Sequence, residues 1–118
     1  MKTIIDLSGI TNKDGVLGAF GETFEFGGPN GNVPVTDPAQ KTGWGMNWDA
    51  LTDCMRSLEE GGIWETSKKF EFPLEIDIQN SMEFQTQSPE DFQTLQEILQ
   101  NLTEEYAVAG KVLKVAYA

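Results

Sequence analysis

Residues 70–79 read Phe-Glu-Phe-Pro-Leu-Glu-Ile-Asp-Ile-Gln. Phe70, Phe72, Leu74, Ile76 and Ile78 alternate with Glu71, Glu75 and Asp77, so apolar side chains recur at every second position. That period marks a strand with one buried and one wetter face. Proline has no amide hydrogen to give to a ladder, so Pro73 belongs at the strand's start or on an edge, and the regular strand is expected from Leu74 to Ile78. Downstream, Ser88-Pro89-Glu90-Asp91 has the form of a helix start, with a serine to cap, proline at the first helical position and a carboxylate three residues after the serine. Phe92, Leu95, Ile98, Leu99, Leu102 and Tyr106 follow at helical spacing until Gly110, and Val112 to Tyr117 then reads as a buried terminal strand.

Upstream, Ile4, Ile5 and Leu7 form a short β-branched run ended by Ser8-Gly9, which reads as a first strand. Thr11 or Asn12 can cap a helix beginning near Asp14 with Val16, Leu17 and Phe20 on one face. Gly15, Gly18 and Gly21 each weaken that helix by about 1 kcal/mol relative to alanine, so it is expected to be short. These glycines do not follow the G-x-G-x-x-G order of a nucleotide loop. Three strands separated by helical segments imply right-handed crossovers and an α/β fold with a small three-stranded parallel sheet packed with helices. At 118 residues the chain fits a single domain spanning residues 1–118.

Between the first helix and the rest, residues 27–42 are rich in Gly, Pro, Asn and Asp and have no apolar period, which predicts an extended surface loop. Its length exceeds that of an ordinary connection, so it is either functional or mobile. Asn47 then opens a helix, Asn47-Trp48-Asp49-Ala50-Leu51-Thr52-Asp53-Cys54-Met55-Arg56-Ser57-Leu58-Glu59-Glu60, closed by Gly61-Gly62. Steps of about 100° put Trp48, Leu51, Cys54, Met55 and Leu58 in one apolar stripe, and Asp49, Thr52, Asp53 and Arg56 on the other side.

Lys and Arg total 8 and Asp and Glu total 19, a formal net charge of −11. Such a surface repels a phosphate backbone and steers a basic partner toward it. The chain has no histidine, which removes Ser-His-Asp and Cys-His mechanisms and imidazole metal sites and leaves only carboxylate-based catalysis open. Its one cysteine, Cys54, cannot form an internal disulfide, and the apolar run at the start is too short for a signal peptide or membrane span, so a cytoplasmic location with no membrane partner is expected. A hydrophobic fraction of 39% argues for a folded globule rather than an acidic tail.

Asp49 and Asp53 are the residues with the most to explain. Four apart on one helix, they are neighbours that repel, which costs the helix a few tenths of a kcal/mol. A solvated acidic face is one reading. The other takes its support from Gly43-Trp44-Gly45 just before the cap, since an indole beside carboxylates suits a partner's arginines. Trp44 alone is equally consistent with a ring folded over the core. A catalytic carboxylate pair or divalent-metal site is the third reading, and it lacks a cleft and further ligands nearby.

Residues 44–55, Trp-Gly-Met-Asn-Trp-Asp-Ala-Leu-Thr-Asp-Cys-Met, resemble the pattern of the barstar family of ribonuclease inhibitors: aromatic, Gly, x, Asn, apolar, Asp, Ala, Leu, x, Asp, Cys, apolar. Phe72-Pro73-Leu74 and the order of elements add to the resemblance. It implies a three-layer-like α/β fold in which the acidic helix and preceding loop plug a basic ribonuclease without catalysing anything, with no cofactor and no metal. By position, Asp53 would be the main carboxylate, Asp49 the second, and Trp44 and Asn47 contact or loop-shaping residues, with Gly45 and Thr52 completing the partner-binding set. Cys54 falls on the apolar stripe as a packed thiol. The family often has a second aromatic at the position of Gly43 and an aromatic at that of Thr52, so contact area is smaller here. Its further acidic contact in the last helix falls near Gln100, with Glu97 and Glu104 a turn either way. A related basic toxin protein of different chemistry is the alternative partner.

Overall fold

In the computed structural model, which describes residues 1–28, 31–37, 39–40, 42–58 and 69–118, the alternating stretch becomes the middle of a sheet. β1 (Lys2–Asp6) and β3 (Leu113–Tyr117) flank β2 (Leu74–Gln79), and both pairings are parallel. Pro73 stands immediately before β2, where its missing amide costs the ladder nothing. Between the strands run α1 (Lys13–Phe24), α2 (Trp48–Met55), α3 (Met82–Gln87) and α4 (Pro89–Val108).

The register explains the burial. Thr3 pairs with Ile76 and Ile76 with Val115, while Leu74 pairs with Leu113, so these side chains share the face that carries the helices. Leu74, Ile76 and Ile78 are fully buried there with Ile5 and Leu7. On the other face the rows Lys2–Glu75–Lys114 and Ile4–Asp77–Ala116 look outward, and Ile4 is 52% exposed. Among the described residues nothing covers that face, so the arrangement has two layers rather than the three-layer-like one expected. β3 also differs from its expectation as a buried strand. It lies at an edge with one bare face, and only Leu113 is buried.

α1 is longer than its glycines suggested, because packing outweighs propensity. Asn12 caps it, its Oδ1 accepting from the Gly15 amide at 2.9 Å, and Val16, Leu17, Phe20 and Phe24 are buried. α4 carries the expected stripe, with Phe92, Leu95, Leu99, Leu102 and Tyr106 buried. Its capping serine behaves differently. Ser88 Oγ donates to the Thr11 carbonyl at 2.7 Å instead of capping its own helix, and so staples the start of α4 to the β1–α1 connection. α3 had no sequence signal; six residues are too few to show a period, and it is held by buried Phe84, whose ring meets Phe92 edge-on at 6.0 Å. Among the described residues no helix is long and apolar enough to cross a membrane.

At the carboxyl ends of the strands, Asp6 Oδ1 accepts from the Ser8 amide, the Ser8 hydroxyl and Asn80 Nδ2 at 2.9, 2.6 and 2.8 Å. The hydroxyl bond, then the other two, hold the Asp6 carboxyl below its usual range. A carboxyl lowered in the folded state stabilises above its unfolded value and loses that contribution as pH falls through the folded one. Acid unfolding followed by circular dichroism should therefore be less steep below about pH 4 in Asp6→Asn than in the wild type.

Gly18 and Gly21 give a second prediction. A Cβ on Gly18 meets open space, whereas one on Gly21 would lie 2.1 Å from Asn32 Oδ1 and 2.9 Å from Trp44 Nε1. In urea titrations Gly18→Ala should stabilise by about 0.5–1 kcal/mol, as in an ordinary helix interior. Gly21→Ala should destabilise by about 1–3 kcal/mol, since it displaces a buried hydrogen bond.

Candidate functional site

Asn32 pins the segment that leads into α2. Its Nδ2 donates to the Gly18 carbonyl of α1 at 2.8 Å, and its Oδ1 accepts from Trp44 Nε1 at 3.0 Å. The Trp44 amide in turn donates to the Val33 carbonyl at 3.1 Å. The indole lies edge-on to Phe26 at 5.1 Å and is 2% exposed. The Trp44 ring is packed inside the loop that leads into α2. At 2% exposure the indole presents no open ring face on which an arginine could stack.

The extended surface loop expected over 27–42 is surface only in its second half. Gly27, Gly28 and Gly31 are buried, Gly27 and Gly31 against each other, and Val33 to Asp37 are exposed. There Gln40 ties the turn, its Nε2 donating to the carbonyls of Pro34 and Thr42 at 3.1 and 2.7 Å and its Oε1 accepting from the Thr36 amide at 3.2 Å. Positions 29, 30, 38 and 41 lie outside the described residues.

Gly45 is exposed, and Asn47 caps α2 as expected, its Oδ1 accepting from the Ala50 amide at 2.7 Å. Leu51 and Met55 are buried, and Trp48, Ala50 and Cys54 pack half-buried beside them, so the apolar stripe is core. The helix ends at Met55, short of the expected Glu60. The Arg56 and Ser57 amides reach back only three residues, to the carbonyls of Asp53 and Cys54, which tightens the chain out of α-helical winding. The expected stop at Glu59 to Gly62 falls outside the described residues. Across the core, the Tyr106 hydroxyl donates to the Met55 carbonyl and fixes α2 against α4.

This packing turns Asp49 and Asp53 outward. Both are exposed, the Asp53 side chain to 74%. Thr52 between them is half-buried, and its hydroxyl is spent on the Trp48 carbonyl at 2.9 Å. Asp53 is not alone, because its Oδ1 accepts from Arg56 Nη1 at 2.8 Å. Arg56 Nε and Nη2 donate to the two oxygens of Glu105 on α4 at 3.0 and 3.2 Å. That fork raises the Arg56 pKa and lowers that of Glu105. Three residues apart at the end of α2, Arg56 and Asp53 are neighbours by spacing alone. Glu105, forty-nine residues from Arg56, had no local signal.

A groove of about 350 Å³ separates α2 from α4, lined by Thr52, Arg56, Asn101, Glu104 and Glu105 among others. Of the three late-helix candidates only Glu104 borders it. Glu97 and Gln100 line a larger groove between α4 and β3, away from α2. Cys54 is packed, and burial first, then the Asp53 charge, push its thiol up to about 11, so it is a poor nucleophile at neutral pH. Among the described residues no three His, Cys, Asp or Glu side chains gather in a way that could hold a metal ion.

A family model described as Barstar (barnase inhibitor) matches residues 39–118. No curated protein matches the chain. The matched span covers more than half of the sequence and runs from the last residues of the loop through α2, with Asp49 and Asp53, to the end of β3. The chain therefore belongs to the barstar (barnase inhibitor) family.

Proposed function

We propose that this chain inhibits a small basic ribonuclease, laying α2 and the segment before it over the enzyme's active site from a single domain that works in the cytoplasm. The observation that carries this reading is the pair Asp49 and Asp53, both exposed on one short helix within the span matched to the barnase-inhibitor family. An exposed like-charge pair does nothing for the helix, whereas two carboxylates side by side offer arginine and lysine charge-assisted, bidentate acceptors. In this reading Asp53 is the main contact and Asp49 the second. Gly45, Asn47 and Thr52 lie along the same surface, and Trp44 supports it from beneath. The net charge of −11 adds long-range attraction for a basic enzyme.

A related basic toxin protein is the second reading, favoured by the stretch Val33 to Asp37, which stands exposed beside the site on the Gln40 and Asn32 ties.

Calorimetric titration against a panel of small basic microbial ribonucleases, with RNA cleavage followed alongside, tests the proposal. One-to-one binding that silences cleavage is expected. Asp53→Ala should cost at least about 2 kcal/mol of binding, the scale of an interface hot spot, and Asp49→Ala less. Neither should move folding stability by more than about 0.5 kcal/mol, because both side chains are exposed. Binding of a basic toxin of another chemistry, with every ribonuclease inert, would favour the second reading.

The association rate should also fall at least about tenfold from low salt to 1 M salt, as screening removes the steering field. A rate independent of salt would rule out steering by the acidic surface.

A further inference from the structure

Asp53, Arg56 and Glu105 form a chain of charges that stability does not explain. The three side chains are 74%, 48% and 48% exposed, and ion pairs this wet contribute little to folding. The geometry is nevertheless specific. Glu105 takes Nε and Nη2 of Arg56 in a two-point fork, which orients the guanidinium plane, and the remaining Nη1 meets Asp53 Oδ1 at 2.8 Å. The fork comes from α4, the long helix anchored to α2 by Tyr106 and Met55. One oxygen of Asp53 is thus engaged from within the molecule. Among the described residues Asp49 has no such brace.

We infer that Arg56, clamped by Glu105, is a positioning residue for Asp53: it holds the carboxylate in one orientation with Oδ2 left to a cation of the partner. The inference rests on the inhibitor reading above. A solvent-exposed aspartate that is free to rotate must be immobilised when a partner binds, and the cost appears in affinity. A brace supplied in advance removes that cost. It also places a positive charge beside the site, which opposes a basic partner at long range. The two effects separate by ionic strength, because in about 1 M salt charges interact only over about 3 Å.

The test measures dissociation rates in 1 M salt from whichever ribonuclease of the panel binds the wild type most tightly. Arg56→Gln and Glu105→Gln should each speed dissociation about threefold to tenfold, the effect of freeing one ordered side chain. Arg56→Lys, which keeps the charge but cannot form the fork, should behave like Arg56→Gln. In an Asp53→Ala background none of the three should change the rate more than about twofold, since nothing remains to be positioned. Recovery of the wild-type rate by Arg56→Lys, or equal effects with and without Asp53, would overturn the positioning role while leaving the inhibitor reading intact. Binding of the wild type to no enzyme of the panel would overturn that reading and the inference with it.

Discussion

A buried indole carries one N–H that water cannot reach, and in this chain the acceptor for it is Asn32. The requirement organises everything between α1 and α2. Because Asn32 also donates to the Gly18 carbonyl, a single amide fixes the first helix, the loop and the residue three places before the α2 cap. Room for it exists because Gly21 has no side chain at the point of approach. With Trp44 seated, Asn47 is in place to cap α2, Leu51 and Met55 turn inward, and Asp49 and Asp53 have only the solvent side left to them. The acidic face is thus a consequence of what lies beneath it.

Features that depend on neighbours in the chain were legible in the sequence. The alternation of Leu74, Ile76 and Ile78, the stripe from Phe92 to Tyr106 and the asparagine caps at 12 and 47 all follow from local periodicity or local hydrogen bonding, and the structure has them. Features that depend on distant segments were not. Ser88 spends its hydroxyl on Thr11, β3 lies at an edge because β2 takes the centre, and Trp44 is buried because Phe26 and Asn32 receive it. At the site, the exposure of Asp49 and Asp53 could be read from their spacing against the apolar stripe. The Glu105 fork on Arg56 could not, since no period links helices forty-nine residues apart.

The two departures from the family pattern have local causes in this structure. Gly43 has a φ of 110°, in the left-handed region, and a Cβ there would stand 2.8 Å from the Val33 carbonyl oxygen. An aromatic side chain could not be accommodated while the loop keeps this path. Thr52 is half-buried beside the α2–α4 groove with its hydroxyl turned back onto Trp48. Thr52 lies between the carboxylates and Gly43 lies before the α2 cap, and neither adds an aromatic ring, so charge dominates the exposed face of α2. In the proposed inhibitor role, recognition through such a surface depends on where cations sit on the partner more than on the shape of an apolar pocket.

The strand order also sets the sequence of events by which the chain folds. β1 finds its partner in β2 about seventy residues later, and β2 finds β3 almost forty residues after that. Closing loops of that length costs entropy before any ladder bond repays it, and a topology of distant contacts folds slowly for that reason. Synthesised from its amino end, the chain carries β1 as an unpaired strand until β2 has emerged. α1, twelve residues long with three glycines, depends on the core it packs against for its full length. The ladder edge of β1 is satisfied only when the middle of the sheet arrives, while its apolar face packs under helices.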